Sequence, residues 1–178
     1  MLLAEATLLF GTTFLFLGTA WLCFPGPLLS FLGSNLRATW ANVLCFGSAM
    51  GWFLHNIAHL GEADFGQYRG FFFGFFAVIG LIALCHIRDF LAVRGVCILV
   101  LLSAHELLKA AYMEPPLPRL WMVSGLYVLI ILAIYLGTWP YRFGDFVLWL
   151  REKRGFFYPR LLGVLFGLYG CIVLSTLY

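Results

Sequence analysis

Six apolar stretches, each close to the length that crosses a hydrocarbon core, follow one another along this 178-residue chain with little between them. A core about 30 Å thick takes about 20 residues of helix at 1.5 Å rise per residue. The stretches run over 2–24, 39–60, 71–87, 93–113, 120–141 and 156–178. Hydrophobic residues make up 63% of the chain, charged residues 11%, and mean hydropathy is +0.97. A soluble domain of this size has too little interior to hide that much apolar surface, whereas a bilayer accepts it on every side.

The breaks between the stretches carry turn chemistry. Phe24-Pro25-Gly26-Pro27 stops the first, and Gly61-Glu62-Ala63-Asp64 with Gln67-Tyr68-Arg69-Gly70 separates the second from the third. Glu114-Pro115-Pro116-Leu117-Pro118-Arg119 ends the fourth, because proline cannot continue a helix. Strands of a membrane barrel alternate apolar and polar residues, and runs such as 123–137 and 93–102 do not. Continuous apolarity of this length means helices. The predicted fold class is therefore all-α. It is a polytopic membrane bundle of about six transmembrane helices, one integral membrane domain over 1–178, with a short amphipathic interfacial segment near 142–155.

Six spans place both termini on one face. That face carries Arg69, Lys109 and Arg119, and the other carries Arg37, Arg88, Arg94, Arg142, Arg151, Lys153, Arg154 and Arg160. Basic residues in short loops are retained in the cytoplasm, so the face with eight of the 11 is expected to be cytoplasmic and both termini outside it. The start Met1-Leu2-Leu3-Ala4-Glu5 lacks the positive n-region of a signal peptide, so the first run reads as a retained span. The expected location is a bacterial inner membrane. The net charge of +3 is accounted for by the cytoplasmic basic residues. No basic patch on a soluble face calls for a nucleic-acid partner.

Short words recur at the two ends. Leu17-Gly18-Thr19, Gly26 to Leu32, Arg37 and Phe46-Gly47 are echoed by Leu136-Gly137-Thr138, Gly144 to Leu150, Arg154 and Phe166-Gly167. Each set describes a span, a short interfacial segment and a returning span. In the second set, Phe143, Phe146, Val147, Leu148, Trp149 and Leu150 suit lipid, while Arg142, Asp145, Arg151, Glu152, Lys153 and Arg154 suit water and anionic headgroups.

Ionisable side chains inside a bilayer are costly and usually face the bundle interior. Ser48, His55, His59 and Glu62 fall on one stripe of the second span. His105, Glu106 and Lys109 share a face of the fourth, and Glu5, Thr12 and Thr19 repeat every seven residues in the first. The topology puts Glu5, His55, His59, Glu62, His105, Glu106 and Lys109 in the outer half of the membrane, whereas His86 lies at the cytoplasmic end of the third span.

Three chemistries compete for this cluster. In the structural one, Glu106 pairs with Lys109 at i,i+3, and the histidines bond to Glu5, Glu62 or backbone carbonyls at roughly 0.6 to 2 kcal/mol each. In the second, His55 and His59, one turn apart, bind a divalent metal or a haem. His105 is then a third ligand, and Glu106, Glu5 or Glu62 complete or orient the shell. His55-Asn56-Ile57-Ala58-His59 has no glutamate next to the first histidine, so the zincin motif is missing. The third chemistry, a proton path, needs polar groups across the whole membrane, and the inner half offers only Asn42, Ser48, His86, Thr138 and cysteines.

Cys23, Cys45, Cys85, Cys97 and Cys171 are odd in number and lack a Cys-x-x-Cys pair, so they read as small packing residues. Gly163-Val164-Leu165-Phe166-Gly167 and Gly170 would admit a close helix, of this chain or of a partner. Phe71-Phe72-Phe73-Gly74-Phe75-Phe76 is aromatic all round and suits lipid or a packing surface, with a cofactor lining as the sharper reading. No phosphate loop, nucleophile elbow or dinucleotide fingerprint occurs. The leading expectation is a small non-catalytic accessory or assembly subunit of a membrane complex. Its partners would be the lipid bilayer and other membrane subunits. The rival is a haem- or metal-binding protein, redox or hydrolytic, using His55, His59, His105 and Glu106.

Overall fold

The structure is a computed structural model and describes residues 2–35, 38–61, 66–86, 89–112, 116–152 and 157–177. Among the described residues there are eight α-helices and no strand: α1 Leu3–Cys23, α2 Pro25–Asn35, α3 Thr39–Ala58, α4 Arg69–His86, α5 Leu91–Ala110, α6 Pro116–Thr138, α7 Tyr141–Glu152 and α8 Phe157–Ser175. A 3-10 turn over Gly66–Tyr68 leads into α4. Five stretches are long and apolar enough to cross a membrane: Leu3–Cys23, Gly66–His86, Leu91–Ala110, Arg119–Thr138 and Phe157–Ser175. The chain is an integral membrane protein with an all-α helical fold.

Proline opens helices here as well as closing them. Pro25 begins α2, Pro116 and Pro118 lie in the first turn of α6, and Pro159 is buried in the first turn of α8. The first N–H groups of a helix have no intrahelical partner, so the missing proline donor is not felt there. The helix of the fifth span therefore begins at Pro116, while its apolar stretch, Arg119–Thr138, starts one residue before the expected 120. At 11 and 12 residues, α2 and α7 are too short to cross a membrane. The interfacial segment expected near 142–155 corresponds to α7. It buries Gly144, Val147 and Leu150, an i, i+3, i+6 stripe, and turns Phe146, Leu148, Trp149 and Arg151 outward.

The chain divides into two compact units, one formed by Met1–Gly33, Ser103–Leu132 and Gly144–Tyr178, the other by Ser34–Leu102 and Ala133–Phe143. The first is organised on α1 and α8, which run antiparallel with backbones almost touching. A Cβ built on Gly18 would lie 2.6 Å from the Gly167 nitrogen and 2.9 Å from the Gly163 carbonyl oxygen. One built on Gly163 would lie 2.9 Å from the Gly18 oxygen, and one on Gly170 2.9 Å from the Gly11 oxygen. The helix admitted by Gly163 and Gly170 thus belongs to this chain. Around this seam Phe14 meets Phe10, Phe166 and Tyr169 at centroid distances of 4.8, 5.8 and 5.3 Å. Ala6, Met122, Leu126 and Val173 are buried almost completely beside them.

The second unit holds α3 against α4 and α5. Met50 lies over Gly80 of α4, and Phe53 meets Phe76 edge-on at 5.2 Å, an antiparallel pairing. Gly95 of α5 approaches the backbone at Cys45 and Phe46 so closely that a Cβ would lie 2.5 Å from the Phe46 nitrogen. α3 has 20 residues, yet Asn42, His55 and Asn56 keep it out of the apolar class of the five. It packs side by side with α4, one of the five, and meets α5 closely at Gly95.

Gly18→Ala is expected to destabilise the protein by about 1–3 kcal/mol, because the new methyl meets backbone rather than a movable side chain. Gly167→Ala, whose Cβ meets nothing within 4 Å, should be neutral or stabilising by up to about 1 kcal/mol through helix propensity. Thermal unfolding of the two variants in the same detergent checks the contrast.

Candidate functional site

The polar residues of the interior are not the ionisable ones. Thr7 and Asn42 are the buried polar side chains among the described residues, at 1% and 4% exposure. Thr7 donates to the Leu3 carbonyl at 2.8 Å and reaches the Met122 sulfur at 3.7 Å. The Asn42 Oδ1 accepts the Ala92 N–H at 2.8 Å, across 50 residues of chain. Ala92 is the second residue of α5, so a side chain of α3 satisfies one of the donors that every helix start leaves without an intrahelical partner. Just before it, Phe90 has φ 56, the left-handed region, where a bulky residue costs roughly 1–2 kcal/mol. Phe90 packs on Val93, Cys97 and Ala133, which holds it there.

His55 and His59, by contrast, are exposed, and so are His105, Glu106, Lys109 and Glu5. The expectation that these groups turn inward is not met, and their positions explain how they are tolerated. His59 follows α3 as its C-cap, and Lys109 stands in the last turn of α5, where a cation complements the carbonyl end of the helix and a long side chain reaches the headgroups. Glu5 stands in the first turn of α1 and accepts the Leu2 N–H at 3.1 Å. Thr12, Thr19 and Ser48 donate to carbonyls of their own helices, to Leu8, Phe16 and Cys45 respectively, so their exposure leaves no bare donor in lipid. Cys97 is the buried cysteine of the five. Cys23, Cys85 and Cys171 are exposed and Cys45 is half-buried.

The structure does bring His55 and His59 together. Their ring centroids are 4.3 Å apart, and the His59 Nδ1 lies 2.9 Å from the His55 carbonyl oxygen. The acceptor is a carbonyl, so Nδ1 carries the proton and, in the neutral ring, Nε2 keeps the lone pair. His105 and Glu106 belong to the other compact unit. Among the described residues no three His, Cys, Asp or Glu side chains are grouped to hold a metal ion. Glu62 lies outside the described residues, as do Arg37, Asp64, Arg88, Glu114, Lys153 and Arg154.

The least covered surface of the second unit is α4. Only 6% of the stretch Gly66–His86 is buried within the chain, against 39% for Leu3–Cys23 and for Leu91–Ala110. Gly80 is its buried residue. On the open side Gly70, Phe71, Gly74, Phe75, Val78 and Ile79 border an apolar groove of about 450 Å³. A Cβ on Gly70 or Gly74 would meet nothing within 4 Å. From the sequence, Asn42 figured only among the few polar groups of the inner half, and 71–76 only as an aromatic face. An asparagine within an apolar span and a second Gly-x-x-x-Gly pair were the signals available. Comparison with protein-family models, with curated proteins and with solved structures gave no match.

Asn42→Leu removes the acceptor for a buried N–H and should cost about 1–3 kcal/mol. Asn42→Asp, which keeps an acceptor oxygen, should lose less when both are unfolded by denaturant in detergent.

Proposed function

We propose that this chain is a non-catalytic accessory or assembly subunit of a larger membrane complex, seated in a bacterial inner membrane with both termini outside the cytoplasm. One observation carries the reading, the open groove along α4. Helices in lipid associate through van der Waals contact, which small residues permit at close range. Flexible lipid tails gain little from a notch over Gly70 and Gly74, whereas a straight helix fits it. Phe71, Phe75, Val78 and Ile79 supply apolar walls on either side. The chain uses the same device internally where α1 meets α8. Orientation is supported by the basic residues, eight on the face that holds α7 against three on the other.

Replacing Gly70 and Gly74 together by leucine should weaken co-purification with membrane neighbours by tenfold or more, a change of about 1.4 kcal/mol. Thermal stability should stay within about 0.5 kcal/mol of the parent, because among the described residues a Cβ at either position meets nothing within 4 Å. Undiminished association of that variant, or a parent protein that crosslinks to nothing in membranes, would overturn the reading.

A second reading is favoured by the His55–His59 geometry. With Nδ1 of His59 tied to a carbonyl, its Nε2 presents a basic lone pair beside the neighbouring imidazole, the usual orientation of a metal-ligating histidine. In this reading His55 and His59 are two ligands of a haem or a divalent metal. Absorbance and elemental analysis of the purified protein distinguish the two. The accessory reading expects a colourless, metal-free protein, whereas bound haem or metal lost in His55→Ala with His59→Ala establishes the rival.

A further inference from the structure

Resting on the reading of α4 as a seat for a neighbouring helix, we propose that the neighbour is α4 of a second copy of this chain. One side of α4 is taken by α3, where Phe76 meets Phe53 and Met50 lies over Gly80. On the opposite side the residues form two adjacent rows, each with a step of four. Gly70, Gly74 and Val78 make one row, and Phe71, Phe75 and Ile79 make the next. All six are exposed. The first row is sunken over the two glycines and the second is raised. Phe71 and Phe75 stack at 6.1 Å and 13°, which keeps the ridge continuous.

The ridge and the furrow have the same pitch and the same length, so this surface is its own complement. Two copies inserted in one orientation stand parallel, related by a two-fold axis along the membrane normal. The raised row of each then lies in the sunken row of the other, at the right-handed crossing of about 40° that closely packed small residues favour. A two-fold seam sets groups near their own copies, so a charge on it would meet itself. Residues 70–85 contain none. Arg69 lies away from the strip, beside Leu60, Gly66 and Gln67. Gly47 and Gly51 of α3 are also four apart, and a Cβ on either meets nothing within 4 Å. The row beside them is Ser48, Trp52 and Asn56, which offers no even apolar ridge, so the self-match belongs to α4.

Full chains carrying donor or acceptor fluorophores are mixed in lipid vesicles, and energy transfer is followed as lipid dilutes the protein. The parent is expected to pair, with transfer that unlabelled chain competes away. Gly70→Leu with Gly74→Leu should raise the dissociation constant about tenfold or more. Gly47→Leu with Gly51→Leu should leave it unchanged. If the α4 variant does not fold, oxidation decides in a chain whose five cysteines are replaced by alanine. Val78→Cys should then link two copies, whereas Ile131→Cys, also exposed but on α6, should not. Chance-level transfer in the parent, unchanged pairing in the α4 variant, an equal loss in the α3 variant or no link through Val78→Cys overturns the proposal. A monomeric parent that still loses its other membrane neighbours when Gly70 and Gly74 become leucine overturns the second copy alone and leaves the accessory reading standing.

Discussion

The near-contact of two backbones, α1 and α8, is the constraint on which the first compact unit depends. In lipid the hydrophobic effect does not press helices together, since the tails are as apolar as the side chains. What remains is dispersion, which falls steeply with distance, so close approach is the source of the attraction. Gly11, Gly18, Gly163 and Gly170 make that approach possible, and their heptad spacing on each helix keeps them on one line. Phe10, Phe14, Phe166 and Tyr169 then fill the flanks. Gly95 does the same for α3 and α5 in the second unit.

The other constraint is that polar groups within hydrocarbon need partners. This chain meets it locally where it can. Exposed hydroxyls of Thr12, Thr13, Thr19 and Thr138 bond to carbonyls of their own helices. At the start of α5 the solution is long-range, through Asn42. Glu5 stands in the first turn of its helix and His59 and Lys109 at the carbonyl ends of theirs, where helix dipoles and headgroups lower their cost. Polarity inside this protein is thus structural, and charge is kept to its margins.

The crossings were legible from apolar length, and α7 was legible from its mixture of aromatic and basic residues. Five crossings show in the sequence as apolar runs. The run over 39–60 was also read as a span, but α3 falls short of the apolarity of the five, because Asn42, His55 and Asn56 dilute it. Pro116 misled as a breaker because proline reads alike at the end of one helix and the start of the next. His55 and His59 were legible as a pair because a helix places i and i+4 together. Their exposure was not, because helical spacing fixes which residues share a face and leaves open what that face meets. The same ambiguity hid the difference between Gly163, packed against α1, and Gly74, where an added Cβ meets no described atom within 4 Å.

The meeting of α1 with α8 also bears on how the molecule is made. Gly18 and Gly163 are 145 positions apart, so this seam joins two crossings far apart in the sequence. During synthesis α1 enters the bilayer with its notched side unoccupied, and it stays so while every intervening helix emerges. Closure is then a late, non-local event. It is limited by the time the ribosome needs to deliver α8 rather than by how fast neighbouring helices find each other.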